Sequence, residues 1–316
     1  MPRKTSGRSY FVNPGGPASR SGLPGLFVLA AGLLWTAVVA PAAAEPDAAK
    51  RGKYVFDAAG CLGCHTKKDG KPLAGGRRLR TPFGDYYSPN ITPQPEHGIG
   101  GWSSTDFKRA LREGLAPDGS HYFPVFPFPS YTGITDADIA DLWAYLKTVP
   151  PVDQANRPHD TKPPFGARIF VAAWKTLNFK PGPFKPDPNL SEQMNRGAYL
   201  VDVIGHCGEC HTPRNAVGGL QRDRWLAGNP DGPEGDLVPN ITPDRETGIG
   251  RWTDDDLDSL FRMGMIPDGD FVGGGMAEVV ENTTAHLNES DLRAVIAYLR
   301  ALPPIRHKVE SKKKPS

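Results

Sequence analysis

The stretch that decides the fold is Gly205-His206-Cys207-Gly208-Glu209-Cys210-His211, which contains the pattern Cys-x-x-Cys-His. The same pattern stands earlier as Cys61-Leu62-Gly63-Cys64-His65. Two thiols three positions apart can each add to one vinyl group of a haem, and the histidine that follows is then held against one face of the iron. The sequence therefore predicts two covalent c-type haems, attached through Cys61, Cys64, Cys207 and Cys210 and ligated by His65 and His211.

Two other kinds of site use a Cys-x-x-Cys pair: a redox dithiol and half of a zinc site. A structural zinc site needs two such pairs that bring four ligands to one centre, whereas these pairs lie in separate, similar segments. A histidine follows each pair directly, and the chain has four cysteines in all. Haem attachment is the favoured interpretation, and it leaves no cysteine for a disulfide, a nucleophile or a second iron ligand.

The amino terminus has the pattern of a secretory signal. Basic residues precede an apolar run over residues 26–40, which ends in Pro41-Ala42-Ala43-Ala44-Glu45. This pattern predicts a signal peptide over residues 1–44, cleaved after Ala44, and a periplasmic protein. The alternative is an uncleaved anchor, because the apolar segment is nearly long enough to cross a bilayer. The sequence thus allows membrane association through that segment or through a partner subunit.

The formal charge of +2 changes sign if the signal is removed. Residues 1–44 hold four of the 37 Lys and Arg residues and none of the 35 Asp and Glu residues. The basic tail, residues 306–316, favours a solvated, disordered end over a docking site for an anionic partner. Nothing in the charge pattern indicates nucleic-acid binding.

Residues 45–150 and 190–305 are two versions of one unit. Several unusual short motifs recur in the same order: Arg51-Gly52-Lys53-Tyr54 as Arg196-Gly197-Ala198-Tyr199, Pro89-Asn90-Ile91-Thr92-Pro93 as Pro239-Asn240-Ile241-Thr242-Pro243, Gly98-Ile99-Gly100 as Gly248-Ile249-Gly250, and Ala144-Tyr145-Leu146 as Ala297-Tyr298-Leu299. This order predicts duplication of a whole domain.

Each unit is predicted to be all-α, with three main helices and long loops. The first helix covers residues 47–59 and, in the second unit, 191–204. Helix-capping patterns start the other two, with Ser103 and Thr253 before the middle helices and Thr135 and Asn288 before the last ones. A proline-rich linker, residues 151–189, joins the units. It contains an apolar helix over residues 167–177, which we expect to contact both units.

The second unit offers a sulfur ligand for its iron. Methionine opposite histidine is common in electron-transfer haem sites and raises the reduction potential. Met276 lies beyond His211, before the last helix, and is the favoured ligand. Met263 and Met265 are competitors, but they stand at the end of the middle helix, where methionine more often packs.

The first unit departs from this pattern. With the offset of 150 that superposes the Asn-Ile-Thr-Pro motifs, Met276 falls on Phe126, which cannot ligate iron. Residues 45–150 contain no methionine. His121 is the candidate sixth ligand and His97 a poorer one. The alternative is that His121 is an ordinary loop residue and that the first iron keeps an open position.

Further polar residues are candidates to bind the haem propionates, although ordinary loop roles are at least as common for each. They are Asn90, Trp102, Asn240 and Trp252 as hydrogen-bond donors, and Arg80 and Arg214 as ion-pair partners.

These motifs resemble the dihaem c-type cytochromes, and in particular the cytochrome subunits of bacterial periplasmic alcohol, aldehyde and gluconate dehydrogenases. The resemblance covers nearly all of residues 45–305. It implies two tandem cytochrome c folds, and it implies electron transfer from a periplasmic dehydrogenase toward a quinone, a cytochrome or a terminal oxidase. An enzyme that uses an open first iron, as a peroxidase or small-molecule oxidoreductase, is the alternative. Carbon monoxide binding to the reduced protein distinguishes the two.

Overall fold

The computed structural model describes residues 46–310, so the predicted signal peptide and residues 311–316 lie outside the described part. We call residues 46–150 the first half, 151–189 the connecting segment and 190–310 the second half. In the first half and the connecting segment the helices are α1 (Pro46–Ala58), α2 (Cys61–His65), α3 (Ser104–Glu113), α4 (Phe128–Tyr131), α5 (Asp136–Leu146) and α6 (Arg168–Asn178). The second half contains α7 (Glu192–Ala198), α8 (Gly208–His211), α9 (Asp254–Met263), α10 (Gly274–Asn282) and α11 (Glu289–Ala301). It also has a π-helical segment, Tyr199–Ile204, and short 3-10 turns at Arg222–Arg224, Pro233–Gly235 and Thr284–His286.

A small antiparallel sheet corrects the all-α prediction. Strands β1 (Arg78–Thr81) and β2 (Gly84–Tyr87) form a hairpin, and β3 (Asp160–Thr161) of the connecting segment pairs with the outer edge of β2. The turn places Gly84 at φ 131°, a conformation that favours glycine. Strands of two to four residues carry too few alternating positions to be distinguished from loops in the sequence.

The first and last helices of each half cross at a glycine. A Cβ on Gly52 would lie 1.9 Å from the carbonyl oxygen of Asp141 in α5. A Cβ on Gly197 would lie 2.1 Å from the carbonyl oxygen of Ala294 in α11. Glycine is therefore required in the repeated Arg-Gly-x-Tyr motif because the backbones of two helices touch there.

The predicted helix caps are confirmed. Ser103 and Thr253 each form a capping box with the aspartate three residues later, and Thr135 and Asn288 each accept a hydrogen bond from the backbone N–H three residues on. These caps satisfy backbone donors that the first helical turn leaves free. They set the starting points of the helices in both halves.

The helix before the second Cys-x-x-Cys-His motif differs from that before the first. Arg51 precedes Cys61 by ten residues, whereas Arg196 precedes Cys207 by eleven. α1 is α-helical throughout, but α7 continues as the π-helical segment Tyr199–Ile204. A π-helical turn accommodates one inserted residue in a helix. As a result, His206, at φ 39°, stands directly before Cys207, where the first half has Gly60 before Cys61.

The two halves exchange hydrogen bonds through the tyrosines of the same repeated motif. Tyr54 donates to the Asp291 carboxylate in the second half at 2.6 Å. Tyr199 donates to the Asp138 carboxylate in the first half at 2.5 Å. Burial tends to raise the Asp291 pKa, but hydrogen bonds from Arg196 and Tyr54 outweigh it and lower that pKa. We call these four residues, two tyrosines and two aspartates, the crossed pairs.

The connecting segment contacts both halves, as expected. In α6, Lys175 donates through Nζ to the carbonyl oxygens of Glu113 and Gly114 at 2.6 and 2.8 Å. Trp174 donates through Nε1 to the carbonyl oxygen of Val217 in the second half at 2.9 Å. These hydrogen bonds join α6 to both halves at once, through buried Lys175 on one side and the more exposed Trp174–Val217 contact on the other.

Residues 306–310 are not a disordered end. The His307 backbone N–H donates to the Thr247 hydroxyl at 3.0 Å, and its Nδ1 lies 2.7 Å from the Ala227 carbonyl oxygen. Arg306 pairs with Glu246 at 2.5 Å. The expectation of a solvated tail is thus wrong for these five residues, because the Asn240 loop offers them hydrogen-bond partners.

Among residues 46–310, no helix has the length and apolar character needed to cross a membrane.

Candidate functional site

Each Cys-x-x-Cys-His motif forms a short helical turn that orients its histidine. Nδ1 of His65 lies 2.8 Å from the carbonyl oxygen of Pro89, and Nδ1 of His211 lies 2.8 Å from that of Pro239. A carbonyl accepts a hydrogen bond, so each Nδ1 carries the proton and each Nε2 is left as a lone-pair donor. Burial lowers the pKa of both imidazoles, and the carbonyl contact opposes it. A neutral, oriented imidazole is the form that ligates a metal.

The Asn-Ile-Thr-Pro loops hold those carbonyls in place. The Asn90 side chain is buried, accepts from the Thr92 backbone N–H at 2.9 Å and donates to the Val152 carbonyl oxygen at 2.8 Å. Asn240 repeats this with Thr242 and Ile305. The asparagines therefore anchor the chain that returns after each last helix, which is the ordinary loop role that the sequence also allowed.

The four cysteines have free thiols. Burial raises the pKa of Cys61 and of Cys207 to about 12, raises that of Cys210 to about 11, and raises that of Cys64. A zinc site would need thiolates gathered at one centre. Within the described residues, no cluster of three His, Cys, Asp or Glu side chains forms such a site. Within residues 46–310 the motif thiols are therefore free and outside any metal cluster, so they remain available for covalent attachment to a porphyrin.

The three methionines that follow His211 in the second half occupy different environments. Met276 lies in the first turn of α10 and packs, partly buried, against the hydrophobic core. Met263 is exposed at the last position of α9, and Met265 pairs with Phe271 in an isolated bridge. Gly273 and Gly275, which flank the start of α10, have nothing within 4 Å of an added Cβ. Partial burial of Met276 beside uncrowded glycines is compatible with its proposed role as an iron ligand.

Phe126 lies in an aromatic cluster in the first half. Its ring centroid is 5.5 Å from that of Tyr122, 5.8 Å from Tyr131 and 6.4 Å from Phe128. The methionine position of the second half is therefore filled by aromatic packing in the first.

His121 pairs with Leu115 in an isolated bridge, and its carbonyl oxygen accepts a hydrogen bond from Arg168 of α6. Its Nδ1 is buried and has no hydrogen-bond partner. Burial lowers the pKa of His121, and Lys175 and Arg168 lower it further. The imidazole is thus neutral with an unpaired nitrogen, which is compatible with iron ligation. His97, the poorer candidate, lies 3.8 Å from the Asp153 carboxylate.

The arginines named from the sequence have protein partners. Arg214 donates to the Glu209 carboxylate at 2.5 Å and to the Glu209 carbonyl oxygen at 3.0 Å. Arg80, on β1, lies 3.7 Å from Glu234. The sequence interpretation missed Arg77, which donates to the Gly63 carbonyl oxygen at 2.7 Å and to Glu278 at 2.5 Å. No sequence motif marked it, because both partners come from distant segments. Trp102 and Trp252 pack against the core.

Several large apolar side chains near Pro239 and Met276 in the sequence are exposed. Phe271 and Met263 are 62% and 60% exposed, and Leu237, two residues before Pro239, is 48% exposed. Val279, three residues after Met276, is also exposed. These exposures belong to individual side chains, so the fit of the second half to a haem rests on its thiols and its oriented histidine.

Two free thiols and an oriented histidine at the end of a helix, in a mostly helical fold, form the site of a c-type cytochrome. A cytochrome c family model matches residues 49–150. The relatives extend this over most of the chain. A "Diheme cytochrome c-type" protein of Cereibacter sphaeroides is 43% identical over 298 residues, which cover 90% of this chain and 98% of that protein. The chain belongs to the c-type cytochromes, in the family that contains dihaem cytochromes c and cytochrome c subunits of dehydrogenases.

Two further relatives are dehydrogenase subunits. The cytochrome c subunit of the quinone alcohol dehydrogenase of Gluconobacter oxydans is 38% identical over 289 residues, covering 87% of this chain and 59% of that subunit. The fructose dehydrogenase cytochrome subunit of Gluconobacter japonicus is 39% identical over 266 residues, covering 83% and 54% respectively. The chain therefore spans little more than half of these two subunits. Membership of the family implies covalently bound haem c and a role in electron transfer.

Proposed function

We propose that this protein is a periplasmic dihaem cytochrome c that carries electrons from a dehydrogenase to a respiratory acceptor. The observation that carries the proposal is the duplicated site. In both halves the two thiols stand next to a histidine whose Nδ1 is held 2.8 Å from a proline carbonyl oxygen. When bound, haem supplies reversible one-electron chemistry at iron. In each half the chain supplies two thiols that attach the haem and one oriented histidine that ligates its iron.

The proposal treats the halves as tandem cytochrome c domains joined by a linker, residues 151–189. Cys61 and Cys64 hold the first haem, with His65 as ligand. Cys207 and Cys210 hold the second, with His211 and Met276 as ligands. Three observations support the tandem arrangement: the paired helix caps, the paired glycine crossings and the paired Asn-Thr loops. His121 is the candidate sixth ligand of the first iron.

The partners follow from the relatives. Subunits of quinone alcohol dehydrogenase and of fructose dehydrogenase share 38% and 39% identity with this chain, so we assign a dehydrogenase as the electron donor. A quinone, a cytochrome or a terminal oxidase is the acceptor. The periplasmic location and any membrane association rest on residues 1–44, through their signal-like sequence, or on a partner subunit.

Mass spectrometry of the exported protein and a spectroelectrochemical titration test the proposal. We expect the mass of the chain plus two haems, and two one-electron waves of unequal potential. A mass without covalent haem would refute it. Met276→Phe should abolish the near-infrared thioether band and lower one potential, because sulfur ligation raises it. Met263→Leu is the matched control and should change neither.

The second candidate function is a haem enzyme with an open first iron, and Phe126 is the observation that favours it. An aromatic cluster occupies the position of Met276, so a ligand from solvent could reach the iron unless His121 binds it. Complete carbon monoxide binding at one haem of the reduced protein would support this function. No binding would support ligation by His121, which His121→Leu should then reverse.

A further inference from the structure

The segments that precede the two haem motifs meet the opposite half differently. Gly60 stands directly before Cys61, and a Cβ on it would lie 2.6 Å from the Thr283 hydroxyl of the second half. His206 stands directly before Cys207, and its ring centroid lies 5.3 Å from that of Tyr131 of the first half. One side of the interface is thus a close approach of small residues, and the other is an edge-to-face aromatic contact.

Tyr131 also contacts the first motif. It is 7% exposed, and its hydroxyl donates to the Ala59 carbonyl oxygen at 3.1 Å. Ala59 lies two residues before Cys61, and His206 lies one residue before Cys207. Tyr131 therefore joins the two attachment segments by one hydrogen bond and one ring contact.

The surroundings of Tyr131 confirm that both motifs are close to it. Burial raises the pKa of Tyr131 well above its usual value, and the thiols of Cys61 and Cys64 and the Glu209 carboxylate contribute. Next to it, Ser130 donates to Glu209 at 2.8 Å. The phenol stays protonated at neutral pH, so it offers a contact rather than a proton.

The two motifs also lie within electrostatic range of each other. Burial raises the pKa of Cys210 most, and the Cys64 thiol is the last of the groups that contribute. A direct route between haems through these thioether edges would compete with a route through Tyr131. The experiment must therefore separate the two.

We propose that Tyr131 and His206 are positioning residues that couple the two haem attachment segments and set the rate of electron transfer between the haems. This inference rests on the proposed function. One electron passes, leaving one iron oxidised and the other reduced, while no bond breaks and no proton leaves Tyr131. The inserted residue of the second half, accommodated by Tyr199–Ile204, supplies the aromatic contact.

The test measures intramolecular electron transfer in the full holoprotein. A laser-generated flavin semiquinone injects one electron, and absorbance changes follow its redistribution between the haems. Where the haems absorb alike, exchange broadening of haem methyl NMR signals at half-reduction gives the same rate. Tyr131→Phe removes only the hydrogen bond to Ala59, and Tyr131→Leu also removes the ring contact. Tyr298→Phe, which removes a partly buried hydroxyl bonded to Asp202 within the second half, is the matched control.

We expect Tyr131→Phe to transfer electrons several-fold more slowly than the parent and Tyr131→Leu more slowly still, with unchanged haem content and potentials. Tyr298→Phe should match the parent. Three results would overturn the inference: parental rates in both Tyr131 variants, equal slowing in Tyr298→Phe, or slowing fully accounted for by a measured change in potential difference. Should Tyr131→Leu fail to fold, Tyr131→Phe decides alone. A parent protein lacking two haems would instead refute the proposed function.

Discussion

The two halves of the molecule reach their haem motifs by different routes. In the first half, α1 runs as a regular helix to Gly60, whose φ of 62° turns the chain into the motif. In the second half, one more residue is present, and a π-helical segment accommodates it before His206. The Cys-x-x-Cys-His pattern is the same in both halves, while one additional residue in the second half changes what stands at the interface. A repeated motif thus does not guarantee a repeated environment.

The two halves also differ at the position of the predicted sixth iron ligand. Met276 lies in the first turn of α10, whereas Phe126 precedes the much shorter α4 and packs among aromatic rings. α10 and α4 each lie against the opposite motif: Glu278 of α10 pairs with Arg77, and Ser130 of α4 bonds to Glu209. Each half therefore contributes to the other's site, and the comparison can be tested by matched substitutions.

The largest effect is expected from removing the attachment thiols of one half. Cys61→Ser with Cys64→Ser, and Cys207→Ser with Cys210→Ser, should each lower the mass by one haem. Because a small helical half depends on the haem for apolar core volume, each variant should also lose helical far-ultraviolet circular dichroism. Loss should extend into the opposite half, since α10 and α4 cross the interface. His97→Gln, a surface control, should keep both haems; a cysteine variant that kept both would contradict the attachment sites.

The helix crossings should give the next largest effect, and it should be equal in the two halves. Gly52→Ala and Gly197→Ala each force a Cβ to about 2 Å from a backbone carbonyl oxygen, the distances being 1.9 and 2.1 Å. Overpacking against backbone should cost about 1–3 kcal/mol in the free energy of unfolding, despite the better helix propensity of alanine. Denaturant titration of the holoprotein measures it. Gly273→Ala, with open space around its Cβ, should be nearly neutral, and a neutral Gly52→Ala would show that the helices can separate freely.

Removing the crossed pairs should have a smaller effect that loosens the interface. Tyr54→Phe and Tyr199→Phe each remove a hydroxyl bonded to a carboxylate, and each should cost about 1.5 kcal/mol. Limited proteolysis should then cleave residues 151–189 faster, because that segment contacts both halves. Tyr298→Phe is the matched control, since its hydroxyl donates to Asp202 within one half at 2.6 Å. Equal cleavage in all three variants would show that the crossed pairs do not hold the halves together.

The smallest effect concerns pH. Burial raises the pKa of Asp202, although hydrogen bonds from Tyr298 and Trp225 oppose it. The folded protein therefore holds this proton more tightly than the unfolded chain, whose carboxyl pKa is about 3.9. Stability should fall as pH rises from that value through the folded pKa, and the loss is complete above it.

Asp202→Asn should remove this loss and flatten stability against pH, with a small gain at neutral pH. Its counterpart Asp57 bonds to exposed Lys53 at 2.7 Å, so Asp57→Asn is the control and should lack the gain. Denaturant midpoints measured from acid to neutral pH decide the matter. If stability depended on pH in Asp202→Asn as it does in the parent, the ionised Asp202 carboxylate would not destabilise the folded protein.

Much of the site was predictable because it is local in sequence. The spacing of Cys61, Cys64 and His65 follows from haem chemistry, and the caps at Ser103 and Thr253 follow from helix-end chemistry. Arg77, the crossed tyrosines and the roles of Asn90 and Asn240 were missed. Most of their partners lie 60 or more residues away in the chain. The exceptions are Gly63, which accepts from Arg77, and the short-range hydrogen bonds of the two asparagines. No short pattern encodes a contact of that kind.

The sequence by itself determined that this chain carries two Cys-x-x-Cys-His motifs, that a series of short motifs recurs in the same order around them, and that Phe126 stands where Met276 should recur. Covalent attachment and ligand chemistry depend on residue type and close spacing, so they can be recognised without coordinates. Only the tertiary structure decided which side chains cross between the halves, and that Tyr131 stands between both motifs. Those contacts depend on how helices pack, because packing brings together residues that are remote in the chain.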